Sequence, residues 1–381
     1  MQQGQALVFS PPPESPPLIP MTRRRFAALP LALPAILRAA GSTPTLQERL
    51  EEVRARHGVP ALAGGVISDK GLLRSAATGL RKAGGSTPVT TADLWHYGSM
   101  TKGMTAALLG TFVAAGKCRW DDRITDLLPA LTEKATPQAR TITLRHLLSH
   151  RSGLPANLEF WGRQPVAGNR PEIVRQVLSK KLLSEPGTKF LYSNLGYVVA
   201  GAVAERLGGG IWENVITARL FKPLGMTMGF GGTGTPGKED QPWPHLENGR
   251  PRPSNGPDAD NPPSLGPAGT CHGTLAEYAK FVADQLRGST GKKALLPEAL
   301  YKEMHTPVTG ADYALGWIAT ARPWAGGMAY SHNGSNNMNY STVWLAPDKN
   351  FAVVVACNMG SDKAAAACDD ACGVLIGDAL A

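Results

Sequence analysis

The spacing of hydrophobic positions changes several times along the chain, and each change predicts an element. In "TLQERLEEVRARHGVP" Leu46, Leu50 and Val53 recur at helical spacing, and Gly58 and Pro60 end the run. "ALAGGVISDKGLLRSAATG" predicts two strands joined at Asp69-Lys70-Gly71. "GSMTKGMTAALLGTFVAAGK" predicts an apolar helix that opens near Ser99 and stops at Gly116. "TITLRHLLSHRSGL" predicts a short helix capped by Thr143 and closed by Gly153. "RPEIVRQVLSKKLL" and "LGYVVAGAVAERLGG" predict two more, the first with Pro171 at its start. From about 222 to 268 the chain turns rich in Gly and Pro, which predicts a long loop. "TLAEYAKFVADQL" is helical again. "ALGWIATA", "GMAYSH", "NYSTVWLA" and "FAVVVACN" predict antiparallel strands, the last two joined through Pro347–Asn350, and Asp362 to Leu380 a terminal helix. The simplest assembly is α+β: one antiparallel sheet built by both ends of the chain and flanked by helices, with a helical lobe inserted. The expected division is a leader over 1–40 and one domain over 41–381. Its sheet region takes about 41–100 and 268–381, and its lobe about 101–267.

Composition narrows this picture. The 381 residues are 43% hydrophobic and 18% charged, a globular balance with a sizeable core. The formal charge is +9, part of it in Arg23, Arg24, Arg25 and Arg38 of the leader. No dense Lys/Arg run is interleaved with aromatics, which argues against a nucleic-acid partner. "MTRRRFAALPLALPAILRAAGS" fits a twin-arginine export signal with small residues near Ala39 and Ala40 for cleavage. The apolar stretch from Phe26 to Leu37 is too short and too proline-broken to span a bilayer, so no stable membrane insertion is expected after its removal. Five cysteines form no metal-ligand pattern, and their odd number rules out a complete disulfide set; Cys368 and Cys372 share a helix face as packed thiols.

The candidate chemistry begins at Ser99 and Lys102. They sit one turn apart on one helix face, where a surface pair would be ordinary and a buried pair would need a chemical reason. A serine hydroxyl is a weak nucleophile until a base accepts its proton, and a desolvated lysine can be that base. Ser-x-x-Lys alone is weak: Ser289-Thr290-Gly291-Lys292 also matches, in a glycine-rich stretch that reads as a solvated loop. Tyr192-Ser193-Asn194 adds a phenol that can trade protons and an amide that can orient a substrate carbonyl. His332-Asn333-Gly334 ends a strand, where Gly334 admits a close approach and the Ser335 N–H can join that of Ser99 as an oxyanion hole.

In this order, Ser-x-x-Lys, Tyr-x-Asn and His-x-Gly resemble the serine β-lactamase-like hydrolases, which include class C β-lactamases, DD-peptidases, D-amino-acid peptidases and carboxylesterases. "HLLSHRSGL", "KPLGMTMGF", "PAGTCHGTLAEYAKF" and "YALGW" look like that superfamily too, and the resemblance runs from about 45 to 377. It implies Ser99 as the acyl-accepting nucleophile, Lys102 as its base partner and Tyr192 as acid or base in deacylation. Asn194, His332, Asn333, Gly334 and Ser335 would line the substrate site, with no metal or organic cofactor. Which of Lys102 and Tyr192 takes the first proton stays open. The chain departs from class C β-lactamases in lacking Lys-Thr-Gly: His332 and Asn333 stand where a lysine and a hydroxyl residue would be.

The resulting expectation is an exported hydrolase of a small-molecule or peptide ester or amide, cell-wall-derived compounds among the candidates. Esterase or peptidase type is favoured over an efficient β-lactamase. The alternatives are a DD-peptidase or weak β-lactamase and, from another class, a non-catalytic peptidoglycan- or penicillin-binding sensor. His146 and His150 have the spacing of half a zinc site but lack a following Glu and a third ligand, and read as structural. "GTGTPGK" at 232–238 lacks the Ser or Thr of a phosphate loop. Asp121 and Asp122 read as a loop-fixing pair; Trp161, Trp243 and His245 read as cleft-lining residues on long loops.

Overall fold

The computed structural model describes residues 44–158, 170–256 and 259–381. The expectations for the leader and for Trp161 lie outside these residues. In chain order the helices are α1 (Leu46–His57), α2 (Thr101–Ala114), α3 (Ile124–Leu127), α4 (Leu144–Leu148), α5 (Arg170–Leu178), α6 (Asn194–Gly208), α7 (Trp212–Ile216), α8 (Gly266–Gly269), α9 (Leu275–Ser289), α10 (Glu298–His305) and α11 (Asp362–Leu380). The strands are β1 (Ala61–Ser68), β2 (Gly71–Gly79), β3 (Trp95–His96), β4 (Gly229–Phe230), β5 (Cys271–Gly273), β6 (Ile318–Arg322), β7 (Gly327–Ser335), β8 (Tyr340–Ala346) and β9 (Phe351–Cys357).

Local signals explain the ends. Thr45 and Glu48 close a capping box on α1, and Gly58 stops it with φ 63°. Ser361 caps α11 by accepting from the Ala364 N–H. The six-stranded sheet runs β2-β1-β9-β8-β7-β6, every neighbouring pair antiparallel. β1 and β9, from opposite ends of the chain, pair as interior strands and are buried at every position. One face packs with α1 and α11 around Leu50, Val53, Val353, Val355 and Leu375. The other face joins α9 and the helices between β3 and β5 in a second, larger core.

Three expectations change. α4 ends at Leu148, and the chain turns at His150 (φ 57°) rather than running on to Gly153. Ser289 is the last residue of α9, not part of a loop, while Lys292 pairs with Asp69 at 2.5 Å. The Gly/Pro-rich segment contributes β4 to a second sheet of order β3-β5-β4. Strands of two or three residues have no periodicity to read, so this sheet was invisible to patterning.

Candidate active site

Ser99 lies in a single 3-10 turn, Gly98–Met100, that leads directly into α2. From Thr101 to Phe112 every residue of α2 is buried, so the helix crosses the core with no solvent face. Lys102 is 0% exposed, and Ser99 is half-buried. Lys102 Nζ stands 2.9 Å from Ser99 Oγ, 2.8 Å from Asn194 Oδ1 and 2.8 Å from the Ala268 carbonyl oxygen. Asn194 Oδ1 and Ala268 O only accept. A neutral amine has two N–H groups for them and one lone pair left, and that lone pair faces the Ser99 hydroxyl. Burial pushes the Lys102 pKa well below its ordinary value of 10.5. The faces of Tyr192 and Tyr197, with centroids 4.9 and 5.4 Å from Nζ, favour a cation. That attraction is worth about 0.5–2 kcal/mol and does not offset the loss of hydration. The arrangement can therefore take a proton from Ser99.

Asn194 is the first residue of α6, and Ser193 supplies the cap by accepting from the Gly196 N–H at 3.0 Å. This frees the Asn194 amide: Oδ1 accepts from Lys102, and Nδ2 donates to Asn157 Oδ1 at 2.9 Å. Tyr192, half-buried, has its phenol against Ser99; burial raises its pKa, and the Ser99 hydroxyl only partly opposes that. The His150 ring backs Tyr192 at a centroid distance of 4.2 Å, and its Nδ1 accepts from the Ser193 N–H at 3.0 Å. Burial holds His150 well below its ordinary pKa, so it is a neutral support.

β7 passes directly over the Ser99 turn. A Cβ on Gly334 would lie 1.9 Å from the Tyr97 carbonyl oxygen and 2.9 Å from Ser99 N; one on Gly98, at φ 47°, would lie 2.5 Å from Ser335 N. Only glycine fits either place, and the Ser99 and Ser335 N–H groups thereby border the same narrow space. Ser335 Oγ accepts from the Asn337 N–H, and Asn333 Oδ1 accepts from Thr342 Oγ1 at 2.7 Å. Both residues are exposed. His332 sits behind the cleft, 4% exposed. Its Nδ1 lies 2.6 Å from the Asn333 carbonyl and must donate there, so Nε2 accepts from Tyr313 Oη at 2.8 Å. Burial and Lys102 lower its pKa to about 3. With both nitrogens occupied and no charge, His332 is a fixed wall rather than a substrate contact.

Other candidates lie elsewhere. His146 Nδ1 accepts from the Thr143 N–H at the start of α4. His245 is buried, with Nδ1 2.7 Å from the Asn358 carbonyl and Nε2 accepting from the Ala83 N–H, so it fastens its loop and lines no cleft. Trp243 donates to the Lys238 carbonyl beneath Lys82. Asp121 pairs with Arg145 and Asp122 with Arg119. All five cysteines are buried and unpaired. Among the described residues no three His, Cys, Asp or Glu side chains are grouped to hold a metal. Patterning missed Asn157, Ala268 and Tyr313. "PAGT" and "YALGW" pointed to the neighbourhoods of Ala268 and Tyr313, while nothing local marked Asn157.

The family model described as Beta-lactamase matches residues 46–371. The chain is 29% identical over 325 residues to penicillin-binding protein 4 of Amycolatopsis lactamdurans, spanning 82% of this chain and 84% of that protein. It is 28% identical over 296 residues to the unguisins hydrolase ungD' of Aspergillus campestris, spanning 72% of this chain and 54% of that protein. Protein flp of Staphylococcus aureus is likewise matched over only 53% of its length. Among solved structures, the octameric penicillin-binding protein homologue from Pyrococcus abyssi shares the fold, with TM-score 0.71 at 22% identity over 87% of this chain and 77% of that one. SurE bound to D-Leu gives a TM-score of 0.70 at 25% identity over 88% and 74%. With the match running through the sheet and the segments that carry Ser99, Lys102 and Tyr192, the chain belongs to the beta-lactamase family of serine hydrolases.

Proposed function

We propose that this protein is an exported serine hydrolase that cleaves an ester or amide through an acyl-enzyme on Ser99. The observation that carries the reading is Lys102: fully buried, with a depressed pKa and both N–H groups committed to carbonyl oxygens. Ser99 gives its proton to the Lys102 amine as Oγ attacks the substrate carbonyl carbon. The oxyanion receives the Ser99 and Ser335 N–H groups. The proton returns through Lys102 and Tyr192 to the leaving oxygen or nitrogen, the C–O or C–N bond breaks, and the acyl group stays on Ser99. Water then attacks, giving its proton to Lys102 directly or through the Tyr192 hydroxyl, which passes its own proton to Lys102, and the acid leaves as Ser99 regains its hydrogen from Lys102. Asn194 Nδ2, held by Asn157, keeps a second N–H for the acyl side of the substrate.

The substrate preference follows from charge. The neutral His332 and the Asn333 amide offer a substrate carboxylate no fixed cation, which favours uncharged ester or amide groups over efficient β-lactam turnover. The D-Leu complex of SurE and the names of the penicillin-binding relatives keep a D-amino-acid peptidase or penicillin-binding DD-peptidase as the second reading. Export rests on the twin-arginine pattern after Met21.

The test is hydrolysis of a short-chain p-nitrophenyl ester by protein beginning at residue 41, beside Ser99→Ala with its fold checked. Turnover by the parent and none by the folded variant supports the reading. Equal turnover, or none by either, removes it and brings a binding role forward. Penicillin that acylates Ser99 without esterase turnover would favour the second reading.

A further inference from the structure

We infer that His96 and Asp260 form a buried clamp that sets the spacing of the two oxyanion donors, which makes them positioning residues for the Ser99 reaction. The inference rests on the proposed hydrolase reading and adds residues that neither the motifs nor the comparisons assign. His96 ends β3, three residues before the nucleophile. Its Nδ1 accepts the Gly98 N–H at 3.1 Å, so the ring proton is on Nε2. Nε2 stands 2.8 Å from Asp260 Oδ1, at ion-pair distance though off the line of an ideal N–H···O bond. Both side chains are almost wholly buried, 3% and 5% exposed. The same Asp260 Oδ1 accepts from Asn336 Nδ2 at 2.9 Å. Asn336 Oδ1 in turn accepts from the Met338 N–H at 3.2 Å and the Asn339 N–H at 2.9 Å, which folds the turn between β7 and β8.

The two ends of this chain of bonds are Gly98 and Asn336. One precedes Ser99 and the other follows Ser335, so a single carboxylate ties down both flanks of the oxyanion space. The next residue, Asn261, donates from Nδ2 to the Gly269 carbonyl at 2.9 Å, beside the Ala268 carbonyl that holds Lys102. Asp260 Oδ2 is buried with no hydrogen-bond partner among the described residues. A buried carboxylate with half its acceptor capacity unused is costly to keep. A purely structural joint could be built from apolar side chains. A clamp that must hold two N–H groups about 3 Å from one oxyanion gains from a rigid charged centre.

The test compares His96→Ala, Asp260→Ala, His96→Gln and Asn336→Ala with the parent. It reads kcat and KM on the p-nitrophenyl ester, the rate of Ser99 labelling by a fluorophosphonate, and Tm. Gln at 96 can accept from Gly98 with Oε1 and donate to Asp260 with Nε2. The two clamp alanine variants are expected to lose about 10- to 100-fold in both kcat and labelling rate with KM within about threefold, less than deletion of a donor outright. His96→Gln recovers most of that loss. Asn336→Ala, which keeps the His96–Asp260 pair but releases β7, loses rate at nearly unchanged Tm. The clamp is overturned by folded alanine variants with parental rates, by losses confined to KM, or by equal losses for Gln and Ala at position 96. If the clamp alanines do not fold, full activity of Asn336→Ala overturns it alone. Parent protein neither labelled nor active removes the hydrolase reading and the clamp with it; an active parent with unaffected variants removes only the clamp.

Discussion

Lys102 is the residue whose chemistry and stability pull in opposite directions. Burial removes water and pushes its pKa well below the ordinary value in the folded protein, while an unfolded chain keeps it protonated up to that ordinary pKa. The unfolded state therefore binds more protons between the depressed value and 10.5, and in that window stability rises with pH. Denaturant titrations of the parent and Lys102→Met between about pH 8 and pH 10 should show the parent gaining on the variant, by up to about 1.4 kcal/mol per pH unit. A difference that stays flat or falls would mean the ammonium is charged in the folded state. The same variant should lose at least about 10³-fold in ester turnover, since on the proposed mechanism it removes the amine that takes the Ser99 proton. At this scale the meeting of Ser99, Lys102, Tyr192 and Asn194 was legible because each pair sits within one turn or one cap. His332 was legible as a position but not as a role: its neutral, Nδ1-protonated state comes from Tyr313 and its own strand's backbone.

Elements position these groups through close backbone approach. β7 can lie on the Ser99 turn only because positions 98 and 334 carry no Cβ. Gly334→Ala would drive a methyl into the Tyr97 carbonyl, displacing the strand that carries Ser335. Thermal melts should show a loss of about 1–3 kcal/mol, the usual range for overpacking, and kcat should fall with it. A variant with parental kcat would separate the strand's position from the chemistry. The long elements of the sheet were legible from alternation and turn residues, α11 to the residue. The β3-β5-β4 sheet and the early end of α4 were not. Two-residue strands are held by partners brought from more distant parts of the chain, and His150 adopts a left-handed turn because its ring is fixed between Tyr192 and the Ser193 N–H.

The whole molecule is joined across its helical lobe by Arg170, fully buried on α5. It donates to Glu205 at 2.5 Å and Glu213 at 2.5 Å, and to the carbonyls of Pro263 at 2.7 Å and Ser264 at 3.1 Å. The last two precede α8, whose Ala268 holds Lys102. Arg170→Met would strand two partly buried carboxylates, 16% and 14% exposed, and the two carbonyls that Arg170 serves, so urea titration should show a loss of about 3 kcal/mol. A loss under about 1 kcal/mol would show that the pair is hydrated. The sequence by itself determined the α+β class, the sheet made from both chain ends, and the grouping of Ser99 with Lys102, Tyr192 and Asn194. These depend on periodicity, caps and spacings within a few residues. Only the tertiary structure decided that Lys102 is dry, that Ala268 and Asn194 occupy its protons, and that His96 and Asp260 meet beside Gly98. Burial and charge pairing are properties of neighbours in space, and a local stretch of chain carries no record of which distant segment will pack against it.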